Sequence, residues 1–318
     1  MTDWQPTATM ETLRQRARLL SLIRAFFDGA GALEVDVPVL ADTGVTDLHI
    51  DCLQTRVNGR VQYLQSSPEY YMKRLLAAGS GSIYFLGRAF RDGESGRRHN
   101  HEFTLLEWYR QGWDEHQLMA ELASLVTSLE PAWDVEKHRY TDLFKRATGL
   151  DPHSAPLADI RDCASSLADT RFHGDERSTC LDLIFSLAVE PSLPQGLVLV
   201  HDYPACQAAL ARLGRDEDGN PVARRFEAFL NRMELANGYF ELTDPAEQRR
   251  RFEADLALRK AAGKPPVPCD EYLLSALEAG LPPCAGVALG VDRLLMQWLG
   301  LGDIRDVLPF APAEGGHD

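Results

Sequence analysis

Between residues 13 and 30 the apolar positions Leu13, Leu19, Leu20, Ile23, Phe26, Phe27 and Ala30 recur at helical spacing, and Gly31 follows where a left-handed cap is expected. The pattern predicts a long amphipathic helix. It then changes period: Leu33, Val35 and Val37 alternate with Glu34 and Asp36, predicting a strand that ends at Pro38, which has no N–H for a sheet ladder. Over residues 82–110 two alternating runs flank the polar stretch DGESGRRHNH, as in an antiparallel hairpin with a long loop. Residues 114–130 and 156–190 read as mainly helical and residues 197–200 as an apolar run. Residues 284–289 read as a buried strand, Gly290 as a tight junction and Val291–Leu299 as a helix. No repeat or linker divides the chain, and only the tail after Pro312 is of low complexity, so residues 1–318 are expected to form one domain.

At 318 residues and 45% apolar composition the chain can bury a substantial core. Arg14, Arg16, Arg18 and Arg24 interrupt the apolar positions near the start, which leaves no room for a signal peptide or membrane span and predicts a cytoplasmic protein. The 6 cysteines are far apart, without metal-ligand spacing, and read as buried thiols. A net charge of −14 disfavours broad nucleic-acid binding. The local cluster Arg88, Arg91, Arg97, Arg98 and His99 suits the phosphates of one nucleotide.

Three stretches could carry chemistry. In the first hairpin, period-two alternation puts Ile83, Phe85, Gly87, Ala89 and Arg91 on one face of one strand, and Phe103, Leu105, Glu107 and Tyr109 on one face of the other. That is either a binding floor or a solvated tip with weak surface pairs. In RFEAFLNRMELANGYFEL a turn at Asn231-Arg232 would pair Leu230 with Met233 and make Glu227 and Glu234 diagonal neighbours. A one-residue bulge at Asn237-Gly238 would bring Glu241 to the same face, giving a site for Mg²⁺ and an ammonium group, or else a solvated acidic face. In CAGVALGVDRLLM, Arg293 falls in the first turn of a helix, where free N–H groups favour a phosphate; simple packing with a local ion pair is the alternative.

Taken together these residues resemble the three signature motifs of class II aminoacyl-tRNA synthetases, closest to the lysyl subgroup, over nearly the whole chain. The helix and strand to Pro38 resemble motif one, FRDGESGRRHNHEF motif two, and GVALGVDRLLM with DIRDVLPF motif three and its flank; SSPEYYMKRLL, FTLLEWY and MELANGYFELTD resemble the lysine-site segments. The resemblance implies an α+β fold, a mostly antiparallel sheet flanked by helices, and a homodimer formed through the first helix and strand. It implies ATP binding by Arg91, Glu94, His99, Asn100, Phe103, Glu227 and Arg293, with Arg91 and Arg293 catalytic and Mg²⁺ held by Glu227 and Glu234. Substrate would be held by Ser67, Glu69, Glu107, Tyr109, Asn237, Glu241, Ala288 and Gly290.

Two departures stand out. Motif two usually reads Arg-x-Glu, whereas Arg91-Asp92 is followed by Gly93 and then Glu94. No anticodon-binding barrel is expected before the core. A short lysyl-tRNA synthetase paralogue of this kind resembles the family that activates (R)-β-lysine and joins it to a lysine side chain of elongation factor P. Ser67 and Ala288, where lysyl-tRNA synthetases usually carry Ala and Gly, agree with that choice. A truncated synthetase with another acceptor and a non-catalytic regulatory binder are the competing readings. The acceptor is thus expected to be a protein, with tRNA disfavoured.

Overall fold

The computed structural model describes residues 4–169 and 176–312. In chain order the strands are β1 (Leu33–Glu34), β2 (Leu40–Ala41), β3 (Gln54–Val57), β4 (Arg60–Leu64), β5 (Ile83–Phe90), β6 (Glu102–Gln111), β7 (Val135–Arg139), β8 (Leu197–Pro204), β9 (Leu213–Arg215), β10 (Pro221–Leu230), β11 (Met233–Phe240) and β12 (Cys284–Gly290). The helices are α1 (Met10–Gly29), α2 (Glu69–Ala77), α3 (Glu115–Leu129), α4 (Tyr140–Thr148), α5 (Leu157–Leu167), α6 (Arg177–Ile184), α7 (Pro245–Ala261), α8 (Glu271–Gly280) and α9 (Val291–Leu299). They form two units, one of residues 1–111, 243–282 and 288–318, the other of residues 112–242 and 283–287. Pairing is mostly antiparallel and helices accompany the strands, the α+β class expected.

In the first unit, α1 starts at Thr9, whose side chain accepts from the Thr12 N–H, and Gly31 follows its end at φ 67°. The buried stripe of α1 is Thr12, Arg16, Leu19, Ile23 and Phe27, so an arginine occupies a core position. Phe27 stacks on Tyr84 at 4.7 Å and meets Trp108 edge-on at 5.2 Å, which seats the helix against β5 and β6. Strand β1 is shorter than predicted. It pairs in parallel with β5 for two residues, and after the Val35 N–H reaches the Tyr84 carbonyl at 2.8 Å the chain leaves the ladder before Pro38. β5 and β6 form the expected hairpin, and β2, β4 and β3 make a separate small sheet.

In the second unit β8 lies between parallel β7 and antiparallel β10, and β10 pairs on with β11. A core of Tyr140, Phe144, Ile184, Phe185, Val198, Val200 and Phe229 lies under these strands. The predicted helical region 156–190 is α5 and α6, residues 170–175 lying outside the described residues, as does the tail after Pro312. Cysteine burial is corrected in part. Cys180 and Cys284 are buried, Cys52, Cys163 and Cys269 half-buried, but Cys206 is exposed in the turn after β8.

Candidate active site

The β5–β6 register sets Ala89 opposite Phe103, Gly87 opposite Leu105, Phe85 opposite Glu107 and Ile83 opposite Tyr109, so the predicted face is realised pair by pair. Gly87 is required there, because a Cβ would fall 2.4 Å from the Phe85 ring. Arg91 leaves the end of β5 with its guanidinium 5.1 Å from the centre of the Phe103 ring. One of its NH groups donates to Glu94 over a long 3.3 Å, and its Nε is buried with no hydrogen-bond partner. A buried donor in that state is a place for an anion. Gly93 at φ 75° makes the left-handed turn that returns Glu94 to Arg91, which accommodates the altered motif spacing.

Arg293 sits in the first turn of α9. It donates to the Arg98 carbonyl at 3.2 Å and to His99 Nε2 at 2.6 Å, which puts the His99 proton on Nδ1. Arg91 with Phe103, and Arg293 with His99, are thus brought together. Asn100 instead donates to the Glu102 carbonyl at 2.7 Å and ties down the loop end. Gly290 is not a tight junction. Its φ of −75° suits any residue, and a Cβ would meet only the Arg293 side chain, at 3.7 Å or beyond. Ala288 is half-buried on β12.

A second group lies along α2 and the same hairpin. Glu107 is buried, with one oxygen accepting from Tyr109 at 2.7 Å and the other from Ser67 at 2.6 Å. Ser67 in turn accepts from the Glu69 N–H, and Glu69 takes the buried Lys73 ammonium at 2.6 Å. Burial first, then the Glu69 charge, pushes the Glu107 carboxyl up to about 7, against the Ser67 and Tyr109 hydrogen bonds and Lys73. Two neutral hydroxyls fix this carboxylate without balancing its charge, and an ammonium group would do so.

In the second unit the β10–β11 hairpin turns at Asn231 and Arg232, at φ 50° and 66°, and pairs Leu230 with Met233 and Phe229 with Glu234 as predicted. The bulge is displaced. Ala228 pairs with Ala236, so the extra residue is Leu235 rather than one of Asn237-Gly238. Gly238 serves close packing instead, since a Cβ there would lie 2.5 Å from the Phe226 ring and 3.0 Å from Val287. Gly238→Ala is expected to cost about 1–3 kcal/mol by overpacking, measurable by denaturant unfolding; an unchanged midpoint would contradict the close approach.

The bulge turns Asn237, Tyr239 and Glu241 onto the face of Glu234 and Glu227. Glu227 accepts from Tyr203 at 2.7 Å on one oxygen and from Arg225 on the other. Arg225 Nε also donates to the Asn237 amide oxygen at 3.1 Å, and Asn237 reaches back to Glu227 at 3.4 Å. Burial raises the Glu227 carboxyl, Arg225 opposes this, and the Glu234 charge adds to it. Glu241 is 1% exposed. Among the described residues no group of three or more His, Cys, Asp or Glu side chains is placed to hold a metal. Both Glu227 oxygens are engaged, so Glu227 and Glu234 could act as cation ligands only with the Tyr203 or Arg225 contact given up.

Arg225 and Lys73 were not found from the sequence. Each neutralises a carboxylate within a few residues of it, yet an arginine or lysine in an alternating or amphipathic run carries no local mark of burial.

Residues 1–314 match the family model described as tRNA synthetases class II (D, K and N). The chain is 46% identical to a protein of Vibrio vulnificus named elongation factor P--(R)-beta-lysine ligase, over 97% of this chain and 98% of that one. Proteins of the same name from Edwardsiella ictaluri and Vibrio parahaemolyticus are each 45% identical, over 98% and 97% of this chain respectively and 98% of each relative. With residues 1–314 matching that model and relatives matching over nearly the full length of both chains, this chain belongs to the class II tRNA synthetase family.

Proposed function

We propose that this chain activates (R)-β-lysine, or lysine, with ATP as an aminoacyl-adenylate and transfers the acyl group to a lysine side chain of elongation factor P. The observation that carries the reading is the 46% identity, over almost the full length of both chains, to a relative bearing that ligase name. In the activation step a substrate carboxylate oxygen attacks the α-phosphorus, the bond to the bridging oxygen breaks, and pyrophosphate leaves. Arg91 takes charge developing on the α-phosphate, Arg293 and His99 hold the outer phosphates, and Phe103 stacks on the adenine. Glu107, with Tyr109, Ser67 and Glu69, receives an amine of the substrate, while Asn237 and Glu241 provide its remaining polar contacts. Mg²⁺, held by Glu227 and Glu234 when bound, would neutralise phosphate charge. In the transfer step the acceptor amine attacks the acyl carbon, loses a proton, and AMP leaves.

We further read residues 1–318 as one catalytic domain acting in the cytoplasm. No described helix is long and apolar enough to cross a membrane. The exposed apolar side chains Leu22, Leu33, Val39 and Leu40, on α1 and the segment after it, support a homodimer through that segment.

The test is amino-acid-dependent ATP–pyrophosphate exchange with α-lysine and (R)-β-lysine side by side, with elongation factor P and tRNA as separate acceptors. Exchange favouring β-lysine, with label passing to the protein, is expected. Absence of exchange with either amino acid would remove the enzymatic reading, and label on tRNA would make the chain a synthetase.

A further inference from the structure

The buried arginine of α1 belongs to a polar cluster that none of the roles above uses. Arg16 is 6% exposed. It donates to Asp292 Oδ1 at 2.6 Å, to the Val307 carbonyl at 3.3 Å and to Thr104 Oγ1 at 2.5 Å. The backbone N–H of Thr104 donates to the other oxygen of Asp292 at 2.7 Å. Thr104 and Asp292 are themselves 6% and 2% exposed, so the cluster is closed to water. Its members come from α1, β6 and the first turn of α9, up to 276 residues apart in sequence.

A buried ion pair gives little stability over apolar residues of the same size, because desolvation offsets the attraction. What the cluster supplies is position. Thr104 directly follows Phe103 in β6, and Asp292 directly precedes Arg293 in α9. One carboxylate therefore links the backbone next to the adenine-directed ring with the helix turn that carries the phosphate-directed arginine. Arg16 grips the free side of that carboxylate and the hydroxyl of the same threonine. Without Arg16 the buried Asp292 would keep the Thr104 N–H but lose its only cationic partner among these contacts, and a buried charge so left is driven to move towards water.

We propose that Arg16, Asp292 and Thr104 are positioning residues that set the spacing between Phe103 and Arg293, so that helix α1 governs ATP affinity without touching ATP. The inference rests on the reading of Phe103 and Arg293 as the nucleotide clamp. It implies that a perturbation of α1 is felt in the nucleotide half of the reaction and not in the amino-acid half, since Glu107, Ser67 and Glu69 make no contact with the cluster among those described here.

The test is pyrophosphate exchange with Arg16→Met, Thr104→Val and the double variant Arg16→Met with Asp292→Leu, with the KM values for ATP and amino acid measured separately alongside the melting temperature. In Arg16→Met the ATP KM is expected to rise at least about tenfold, because a misplacement of about 1 Å can cost 10²-fold. The amino-acid KM should stay within about twofold, and Thr104→Val should shift the ATP KM the same way but less, having lost one neutral hydrogen bond. The double variant, with apolar groups replacing the ion pair, should regain melting temperature over Arg16→Met without regaining ATP affinity. If wild-type exchange is intact and the ATP KM of Arg16→Met is unchanged, or if both KM values rise together as the melting temperature falls, the positioning role is overturned. A wild-type chain without exchange would overturn the nucleotide reading and this inference with it.

Discussion

Replacing Arg91 by alanine will lower kcat/KM for ATP in pyrophosphate exchange by about 10²–10³, the usual cost of removing one donor aimed at developing transition-state charge. The magnitude follows from the state of the side chain. Its contact with the Glu94 carboxylate is long at 3.3 Å, and its Nε is buried with no hydrogen-bond partner, so the guanidinium keeps hydrogen-bonding capacity for an anion. Its stacking over Phe103 fixes the plane of the guanidinium before ligand arrives. Arg91→Lys should recover only part of the loss, because an ammonium keeps the charge but neither the fork nor the stacking. Exchange near the wild-type rate in Arg91→Ala would place the α-phosphate elsewhere.

The second large effect concerns Glu107. Changing it to glutamine keeps the volume and one acceptor oxygen but removes the charge, and losing one partner of a buried charged contact costs about 2–5 kcal/mol. Near the middle of that range the amino-acid KM should rise roughly 100-fold or more, since about 1.4 kcal/mol is a factor of ten. The ATP KM should change little. The pH dependence has a definite sign. Because the carboxyl is raised to about 7, it is largely protonated below that pH and cannot balance an ammonium, so the wild-type amino-acid KM should fall as pH rises through about 7. The stability of the ligand-free protein should respond in the opposite sense. A carboxyl that binds its proton more tightly when folded contributes stability that grows as pH falls from about 7 towards its ordinary 4.5 and is lost as pH rises through about 7. The glutamine variant should lose both dependences. An unchanged KM and pH profile in that variant would mean that the amine is received by other groups.

What could be read from the sequence depended on how local each signal was. The β5–β6 face followed from period-two alternation, because Phe85, Gly87 and Ala89 oppose Glu107, Leu105 and Phe103 with no break in register. The Asn231-Arg232 turn was legible for the same reason, as two residues between two apolar runs. The bulge was misplaced because Asn-Gly is a strong turn and bulge signal, whereas nothing in Leu235 marks it as the extra residue. Gly238 is small because the Phe226 ring approaches it, a contact fixed by the partner strand. Arg16 was counted as a charge breaking an apolar pattern. Its partner Asp292 lies at the other end of the chain, and a pairing at that separation leaves no period in either segment. Arg225 was passed over likewise, since alternation fixes the face on which a residue lies but not whether that face is under solvent or under Tyr203 and Glu227.

The displaced bulge also limits how this stretch can change length. Between Glu234 and Asn237 there are two residues where an unbroken ladder would need one or three to keep both on the same face, so the hairpin carries its polar groups with a built-in phase shift at Leu235. Losing one codon at Leu235 would leave one residue between them, so an unbroken ladder would hold Asn237, Tyr239 and Glu241 on the same polar face and only the bulge would go. A loss or gain of two codons would leave an even number there and still need a bulge to hold the polar groups on one face. In this hairpin the parity of an insertion or deletion therefore matters more than its size: an odd change dispenses with the bulge, and an even one makes the chemistry of the whole strand depend on it.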